Sequence, residues 1–152
     1  AIFEKVFETG DKMAKLRAVY ALSNLRGTQV VSILLKASKD EIEDVRAAAI
    51  RVIGSIADKE VLPELIDRLS DPSSIVERVV IDAISAYREP QTIVPLMQLL
   101  KTSKDPGVIE RVLDAIGRTG DKRAEEAMSY FAVKGNFNMR CISLRSLGYM
   151  EV

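Results

Sequence analysis

The chain has 152 residues, of which 47% are hydrophobic and 29% are charged, a composition typical of a folded globular domain. Its 22 basic residues balance its 22 acidic residues, and no apolar run is long enough for a bilayer, which argues against nucleic-acid binding and membrane insertion. His and Trp are absent. The absence of His excludes Ser-His-Asp and Cys-His sites and any metal site that needs imidazole.

The absence of His and the single cysteine limit the functions that this chain can have. Without His, the commonest general base and the commonest protein metal ligand are missing, so we predict no catalytic residue, no metal and no cofactor. The single cysteine excludes an internal disulfide and is typical of a reducing compartment, and we expect a cytoplasmic protein.

The first predicted element is a helix over residues 1–10. Its apolar residues are spaced i, i+1, i+4 and i+5 and are Ile2, Phe3, Val6 and Phe7. The turn Thr9-Gly10-Asp11 ends this helix. Because Val30, Val31, Leu34 and Leu35 have the same spacing, we interpret residues 1–10 as the second helix of a preceding repeat.

From Asp11 onward, a unit of two helices is repeated. The first helix of each unit, helix A, carries a small residue directly after Leu or Ile. These small residues are Ser23, Gly54, Ser85, Gly117 and Gly148, at separations of 31, 31, 32 and 31 residues. We place the repeats at 11–39, 40–70, 71–104 and 105–135, and the first helix of a further repeat at 136–152, all within a single domain.

Each helix A is preceded by a residue of a helix-capping type and contains a small residue that would permit a close helix–helix contact. We expect side-chain caps at Asp11, Asp40, Asp71, Asp105 and Asn136, which lie twelve or fourteen residues before the small residue. Glycine inside a helix costs about 1 kcal/mol relative to alanine. We therefore expect the small residues to let the antiparallel second helix of the repeat, helix B, approach closely.

Helix B has a narrower apolar stripe. In the second and third repeats the stripe has helical spacing and consists of Leu62, Leu65, Ile66 and Leu69, then Ile93, Leu96, Met97 and Leu100. Pro63 and Pro95 lie in the first turn, where a helix tolerates proline.

The period and its motifs resemble the short HEAT-like repeats of the phycobilin-lyase type. The motif runs from Asp44-Val45-Arg46 through Gly54 to Asp58, followed by Val61-Leu62-Pro63, and its first half recurs from Asn138 to Gly148. Repeat three departs from it with Glu77 in place of Arg and Ser85 in place of Gly, and repeats one and four lack the phased Arg. The resemblance implies an all-α fold, an α-α superhelix (right-handed α-solenoid) of HEAT-like two-helix repeats.

The resemblance also brings alternatives for function. Deoxyhypusine hydroxylase is a HEAT-like enzyme that depends on His-Glu pairs, and this chain has no His. The HEAT-like DNA glycosylases use Trp in a basic channel, and this chain has no Trp and no net charge. A bilin-lyase-like role, in which this segment holds the substrate of an enzyme or enzyme subunit, stays open as the alternative.

Neither end of the sequence carries a capping repeat with a polar outer face. We interpret the chain as a fragment of a longer protein. The alternative is a complete small protein whose uncapped ends pack on a partner or associate with a copy of the chain itself.

The leading hypothesis is a non-catalytic scaffold that binds another protein or a peptide on the concave face, through its B helices. The polar candidates on that face are Lys36, Glu64, Asp67, Arg68, Gln98 and Lys101. The apolar candidates, which lie off the helix B stripe, are Ile33, Val94, Leu99 and Tyr130. The competing interpretations are a solvated polar face for the first set and packing between repeats for the second. Cys141 is predicted to be a buried small hydrophobe.

Overall fold

A computed structural model gives the backbone of residues 2–151 and the side chains of residues 2–148. Within this range the chain forms ten α-helices and no β-strand. The helices are α1 Ile2–Thr9, α2 Lys12–Ser23, α3 Thr28–Ala37, α4 Glu43–Ile56, α5 Leu62–Asp67, α6 Ser74–Ser85, α7 Ile93–Thr102, α8 Pro106–Thr119, α9 Glu125–Lys134 and α10 Phe137–Glu151. None of these helices is long and apolar enough to cross a bilayer.

Short 3₁₀ turns extend three of the predicted B helices. They are Lys59–Val61 and Arg68–Ser70 on either side of α5, Pro90–Thr92 before α7, and Lys122–Ala124 before α9. The A helices are α2, α4, α6, α8 and α10, and the B helices are α1, α3, α5, α7 and α9.

The helices are grouped in two compact units, one up to Ala83 and the other from Ile84, so that the boundary falls within α6. In unit 1, α4 packs against both α2 and α3, and α1 packs against α2 and α3. In unit 2, α10 packs against α8 and α9, and α8 packs against α7. Each unit therefore contains A helices that pack on the next A helix as well as on a B helix.

The apolar residues of the A helices form most of the core. In α4, Val45, Ala49 and Ile50 are completely buried, and in α8 the same is true of Leu113 and Ile116. The B helices bury a narrower stripe, as the sequence predicts: Leu62 and Leu65 in α5 and Ile93 and Leu96 in α7 are inaccessible to solvent. Burial of one such side chain stabilises the fold by about 1.5–3 kcal/mol.

Three of the five predicted helix caps are confirmed. The Asp11 carboxylate accepts a hydrogen bond from Ala14 N at 2.8 Å, and Asp105 accepts one from Gly107 N at 2.8 Å. The Asn136 side-chain oxygen accepts from Met139 N at 2.9 Å. All three lie twelve residues before the small residue of their helix.

The predictions for Asp40 and Asp71 are wrong, because α4 begins only at Glu43 and α6 only at Ser74. Each of these two aspartates lies fourteen residues before the small residue, two more than the true caps. Their carboxylates accept instead from the backbone N–H two residues further on, Ile42 N and Ser73 N, both at 2.9 Å.

The two misassigned aspartates form buried ion pairs with the preceding A helix. Lys15 Nζ of α2 lies 2.9 Å from Asp40 Oδ2, and the side chains are 11% and 6% exposed. Arg46 of α4 binds Asp71 with both Nε and Nη2, at 2.9 and 3.1 Å. These pairs tie successive A helices together in unit 1.

Lys15 was not predicted from the sequence to form an ion pair. It lies eight residues before Ser23, as Arg46 lies eight residues before Gly54, so repeat one carries a lysine where the repeat has arginine. The eight-residue separation from the small residue could have identified Lys15 as the counterpart of Arg46.

The small residues allow a close contact, but the partner differs from the predicted one. A methyl group on Gly54 would lie 2.8 Å from Ala83 Cβ, on the next A helix and not on the antiparallel B helix. A methyl group on Gly117 would lie 2.8 Å from Ser146 Cβ of α10. At Gly148 no atom lies within 4 Å of the corresponding position.

We predict that Gly54→Ala lowers the free energy of unfolding by about 1 kcal/mol, because overpacking costs about 1–3 kcal/mol and the gain in helix propensity offsets about 1 kcal/mol of that cost. Gly148→Ala is the matched control, since the added methyl meets no neighbour, and it should leave stability unchanged or raise it. Urea unfolding of both variants measures this. Equal effects of the two substitutions would contradict a close contact at Gly54.

Candidate binding surface

The ten predicted partner-binding residues lie on four B helices and one 3₁₀ turn. Unit 1 holds Ile33 and Lys36 on α3, Glu64 and Asp67 on α5, and Arg68 in the turn that follows. Unit 2 holds Val94, Gln98, Leu99 and Lys101 on α7 and Tyr130 on α9.

In unit 1 the structure brings two of these residues together in a cleft. The α1–α3 cleft has a volume of about 180 Å³ and is lined by Glu4, Phe7, Glu8, Ile33, Lys36 and Asp40. The repeated spacing of apolar residues in α1 and α3 predicts two adjacent helices of one kind, but it gave no signal for the cleft between them.

The cleft combines an apolar wall with an acidic rim. Phe7 and Ile33 are half-buried, whereas Glu4 and Glu8 are exposed. Lys36 Nζ lies 3.8 Å from Glu4 Oε1, and both side chains are at least half exposed, so this ion pair contributes at most about 1 kcal/mol. An incoming cation can therefore compete with Lys36 for Glu4.

The α5 residues do not line this cleft. Glu64 and Asp67 are exposed, and Arg68 is half-buried where the chain passes from α5 into the 3₁₀ turn. Their role in binding stays a prediction.

In unit 2 two of the predicted apolar residues are exposed. Val94 is 55% exposed and Tyr130 is 60% exposed, while Leu99 is half-buried. The Tyr130 ring lies edge-on to Phe131, with the ring centroids 5.1 Å apart. Gln98 and Lys101 are exposed on α7.

Asp121 and Arg123 form a clamp at the start of α9. The Asp121 carboxylate accepts from Arg123 N at 2.9 Å and from the Arg123 guanidinium at 2.7 Å, and Arg123 Nη2 also donates to Pro90 O at 3.4 Å. These hydrogen bonds from Arg123 lower the pKa of Asp121 to about 2 and raise the pKa of Arg123. The clamp links the turns that precede α7 and α9.

Two further features lie on the A helices. A cleft of about 240 Å³ between α8 and α10 contains Asp114, whose carboxylate lies 2.9 Å from both Arg118 and Arg145. Cys141 is exposed on α10, so the prediction of a buried cysteine is wrong. No group of three acidic or thiol side chains suited to a metal ion occurs among the described residues.

The comparisons with known proteins bear on the fold. The sequence pattern of HEAT repeats matches residues 1–85, 31–115 and 62–132, in three overlapping registers that together cover most of the chain. The chain belongs to the HEAT-repeat family. No curated protein sequence matches this HEAT-repeat chain.

Solved structures share the fold at low sequence identity. The complex of CpcE and CpcF of phycocyanin lyase from Nostoc sp. PCC7120 aligns with a TM-score of 0.78 and 20% identity, over 95% of this chain and 62% of that chain. A computationally designed armadillo repeat protein for modular peptide recognition aligns with a TM-score of 0.68 and 19% identity, over 97% and 80% of the two chains. The designed armadillo repeat protein YIII(Dq)4CqI gives 0.65 and 19%, also over 97% and 80%. These matches confirm the predicted all-α solenoid class.

We predict that the Asp121 carboxyl titrates at about pH 2 and that Arg123→Gln raises its pKa toward 3.8. Because the folded-state pKa is depressed, the stability from this pair is complete above about pH 4 and is lost as the pH falls toward 2. Carbon-13 NMR titration of the Asp121 carboxyl measures both pKa values. A midpoint near 3.8 in the unsubstituted chain would rule out the clamp.

Proposed function

We propose that this HEAT-repeat chain is a non-catalytic scaffold that binds another protein or a peptide through its B helices. The observation that carries the proposal is the α1–α3 cleft, where Ile33 and Phe7 form an apolar wall beside the carboxylates of Glu4 and Glu8. Packed helices on either side would present this surface without rearrangement, which lowers the entropy lost on binding.

The chemistry of the cleft fits a basic side chain flanked by apolar residues. The aliphatic stem of Lys or Arg packs on apolar side chains while its charged head remains at a polar rim. With Glu4, Glu8 and Lys36 ionised and Asp40 paired with Lys15, the cleft carries a net charge of −1, from two carboxylates and one ammonium. An incoming guanidinium would displace Lys36 from Glu4. The designed armadillo neighbour, which is described as made for peptide recognition, has a related fold and supports a peptide as the partner.

The alternative is a bilin-lyase-like role, in which the chain holds the substrate of an enzyme. Its support is the similarity to the phycocyanin lyase complex. Titration with a linear tetrapyrrole distinguishes the two functions, because a scaffold without a chromophore site should cause no stoichiometric change in tetrapyrrole absorbance. A saturable change at one equivalent would favour the lyase-like role.

We predict that the peptide acetyl-Leu-Arg-Leu-amide binds the α1–α3 cleft and that acetyl-Leu-Glu-Leu-amide does not. Titration of the ¹⁵N-labelled chain should shift amide signals of α1 and α3 in fast exchange, as expected for a small contact. Ile33→Asn, which removes part of the apolar wall without adding a charge, should weaken binding by about tenfold, the equivalent of about 1.4 kcal/mol.

Ile75→Asn is the matched control, because Ile75 is an exposed isoleucine on α6 that does not line the cleft. It should leave the affinity for the arginine peptide unchanged. Equal affinity for the arginine and glutamate peptides, or shifts confined to other helices, would overturn the proposed site.

A further inference from the structure

The cleft between α8 and α10, the α8–α10 cleft, contains two guanidinium groups and only one carboxylate. Asp114 Oδ2 lies 2.9 Å from Arg118 Nη2 on the same helix, and Asp114 Oδ1 lies 2.9 Å from Arg145 Nη2 on α10. Gly117 and Ser146 complete the lining of this cleft, which has a volume of about 240 Å³. Two guanidiniums and one carboxylate give it a net charge of +1.

The two guanidiniums keep donors that Asp114 does not use. A guanidinium has five N–H donors on three nitrogens. The Asp114 carboxylate meets one nitrogen, Nη2, of each arginine. The side chains of Arg118 and Arg145 are 54% and 56% exposed, so their other nitrogens are accessible to a further acceptor.

Both arginines occupy positions that stay exposed where a further A helix follows. Arg145 lies three residues before the small residue of its helix, as Tyr20 does in α2. Tyr20 is 67% exposed although α4 packs against α2. Arg118 directly follows the small residue of α8, as the exposed Asn24 does in α2. The accessibility of the two arginines is therefore a property of their positions in the repeat.

We propose that the α8–α10 cleft binds the carboxylate of an Asp or Glu side chain on a partner protein or peptide. The spacing of the two guanidiniums suits such a group, because Asp114 meets each of them with one carboxylate oxygen. A second carboxylate that enters from the solvent can bridge the same two guanidiniums through their remaining donors. It also brings the net charge of the cleft from +1 to zero.

The close approach of α8 and α10 sets the spacing of the two guanidiniums. A methyl group on Gly117 would lie 2.8 Å from Ser146 Cβ, so the glycine allows α10 to come this near. The Ser146 hydroxyl donates to Ile142 O at 2.9 Å, within its own helix. The two lining residues besides the charged ones are thus small, and they leave the space between the arginines open.

The α8–α10 cleft and the α1–α3 cleft differ in place and in charge. The first lies between A helices of unit 2 and is positive, whereas the second lies between B helices of unit 1 and is negative. Binding of an acidic side chain by α8 and α10 is therefore independent of the proposed function. Either site can be disproved without the other, because the two take peptides of opposite charge and involve different helices.

Titration of the ¹⁵N-labelled chain with acetyl-Gly-Glu-Gly-amide tests the α8–α10 cleft. We expect saturable shifts, in fast exchange, of the Nε–H signals of Arg118 and Arg145 and of the Gly117 amide signal. Because the guanidiniums are exposed to solvent, binding should weaken as the salt concentration rises. Acetyl-Gly-Gln-Gly-amide, which has the same shape without the charge, should cause no such shifts. Equal shifts with the two peptides would overturn the proposal.

A peptide C-terminus is the other source of a carboxylate. The free acid acetyl-Gly-Gln-Gly carries only a terminal carboxylate, and it should bind no more tightly than the glutamate peptide, because the glutamate side chain holds its carboxylate further from the backbone. Tighter binding of the free acid would show that the cleft recognises a chain terminus, and the choice of an acidic side chain would then be wrong.

Arg145→Gln removes one guanidinium and should weaken binding of the glutamate peptide by about fivefold. Arg140→Gln is the matched control, because Arg140 is an exposed arginine on the same helix that does not line the cleft. It should leave the affinity unchanged. An equal loss in both variants would mean that the peptide responds only to the overall charge of the chain, and it would refute a site at the cleft.

Asp114→Asn keeps an oxygen acceptor beside the arginines and raises the net charge of the cleft from +1 to +2. This variant should bind the glutamate peptide about threefold more tightly, because the incoming carboxylate no longer meets a like charge. Weaker binding would contradict recognition by the excess positive charge. A circular dichroism spectrum equal to that of the unsubstituted chain confirms that each variant is folded.

Discussion

The buried ion pair between Arg46 and Asp71 is the interaction on which the repeat packing of unit 1 depends. The guanidinium binds both carboxylate oxygens of Asp71, and its third nitrogen donates to Asp40 O and Glu41 O. One side chain thus connects the start of its own helix to the segment that leads into the next A helix. Lys15 and Asp40 make the same kind of link one repeat earlier.

The ion pair and Gly54 both belong to the contact between α4 and α6. Arg46 lies near the start of α4, and Gly54 lies near its end. Gly54 lies two turns after Arg46 and leaves room for Ala83, so that α6 can approach the backbone of α4 closely. Burial of one charge without its partner costs several kcal/mol. The Arg46–Asp71 pair therefore stabilises the fold only when α4 and α6 are close enough for both charges to meet. Asp40, which pairs with Lys15, is also a lining residue of the α1–α3 cleft.

The sequence predicts the helices better than it predicts the contacts between them. The 31-residue period and the apolar stripes were sufficient for the order and type of all ten helices, because burial of a stripe has a fixed period. The functions of Asp40 and Asp71 could not be derived in this way, since a carboxylate before a helix is a cap or an ion-pair partner depending on what faces it. The cleft beside Ile33 and Lys36 depends on the approach of two helices that begin 26 residues apart in the chain, at Ile2 and Thr28, and no local spacing encodes that approach. The exposure of Cys141 was missed because periodicity marks the face of a helix without showing whether a neighbouring helix covers it.

A double-mutant cycle with Arg46→Met and Asp71→Asn measures the coupling free energy of the buried pair most directly. Asparagine keeps an oxygen that can accept from Ser73 N, so the cycle isolates the charge interaction. We expect a coupling of about 1–3 kcal/mol in urea unfolding. The exposed pair of Lys12 and Asp44 is the matched reference, with a coupling below about 1 kcal/mol. A coupling for Arg46 and Asp71 no larger than that of the exposed pair would contradict the role assigned to the ion pair.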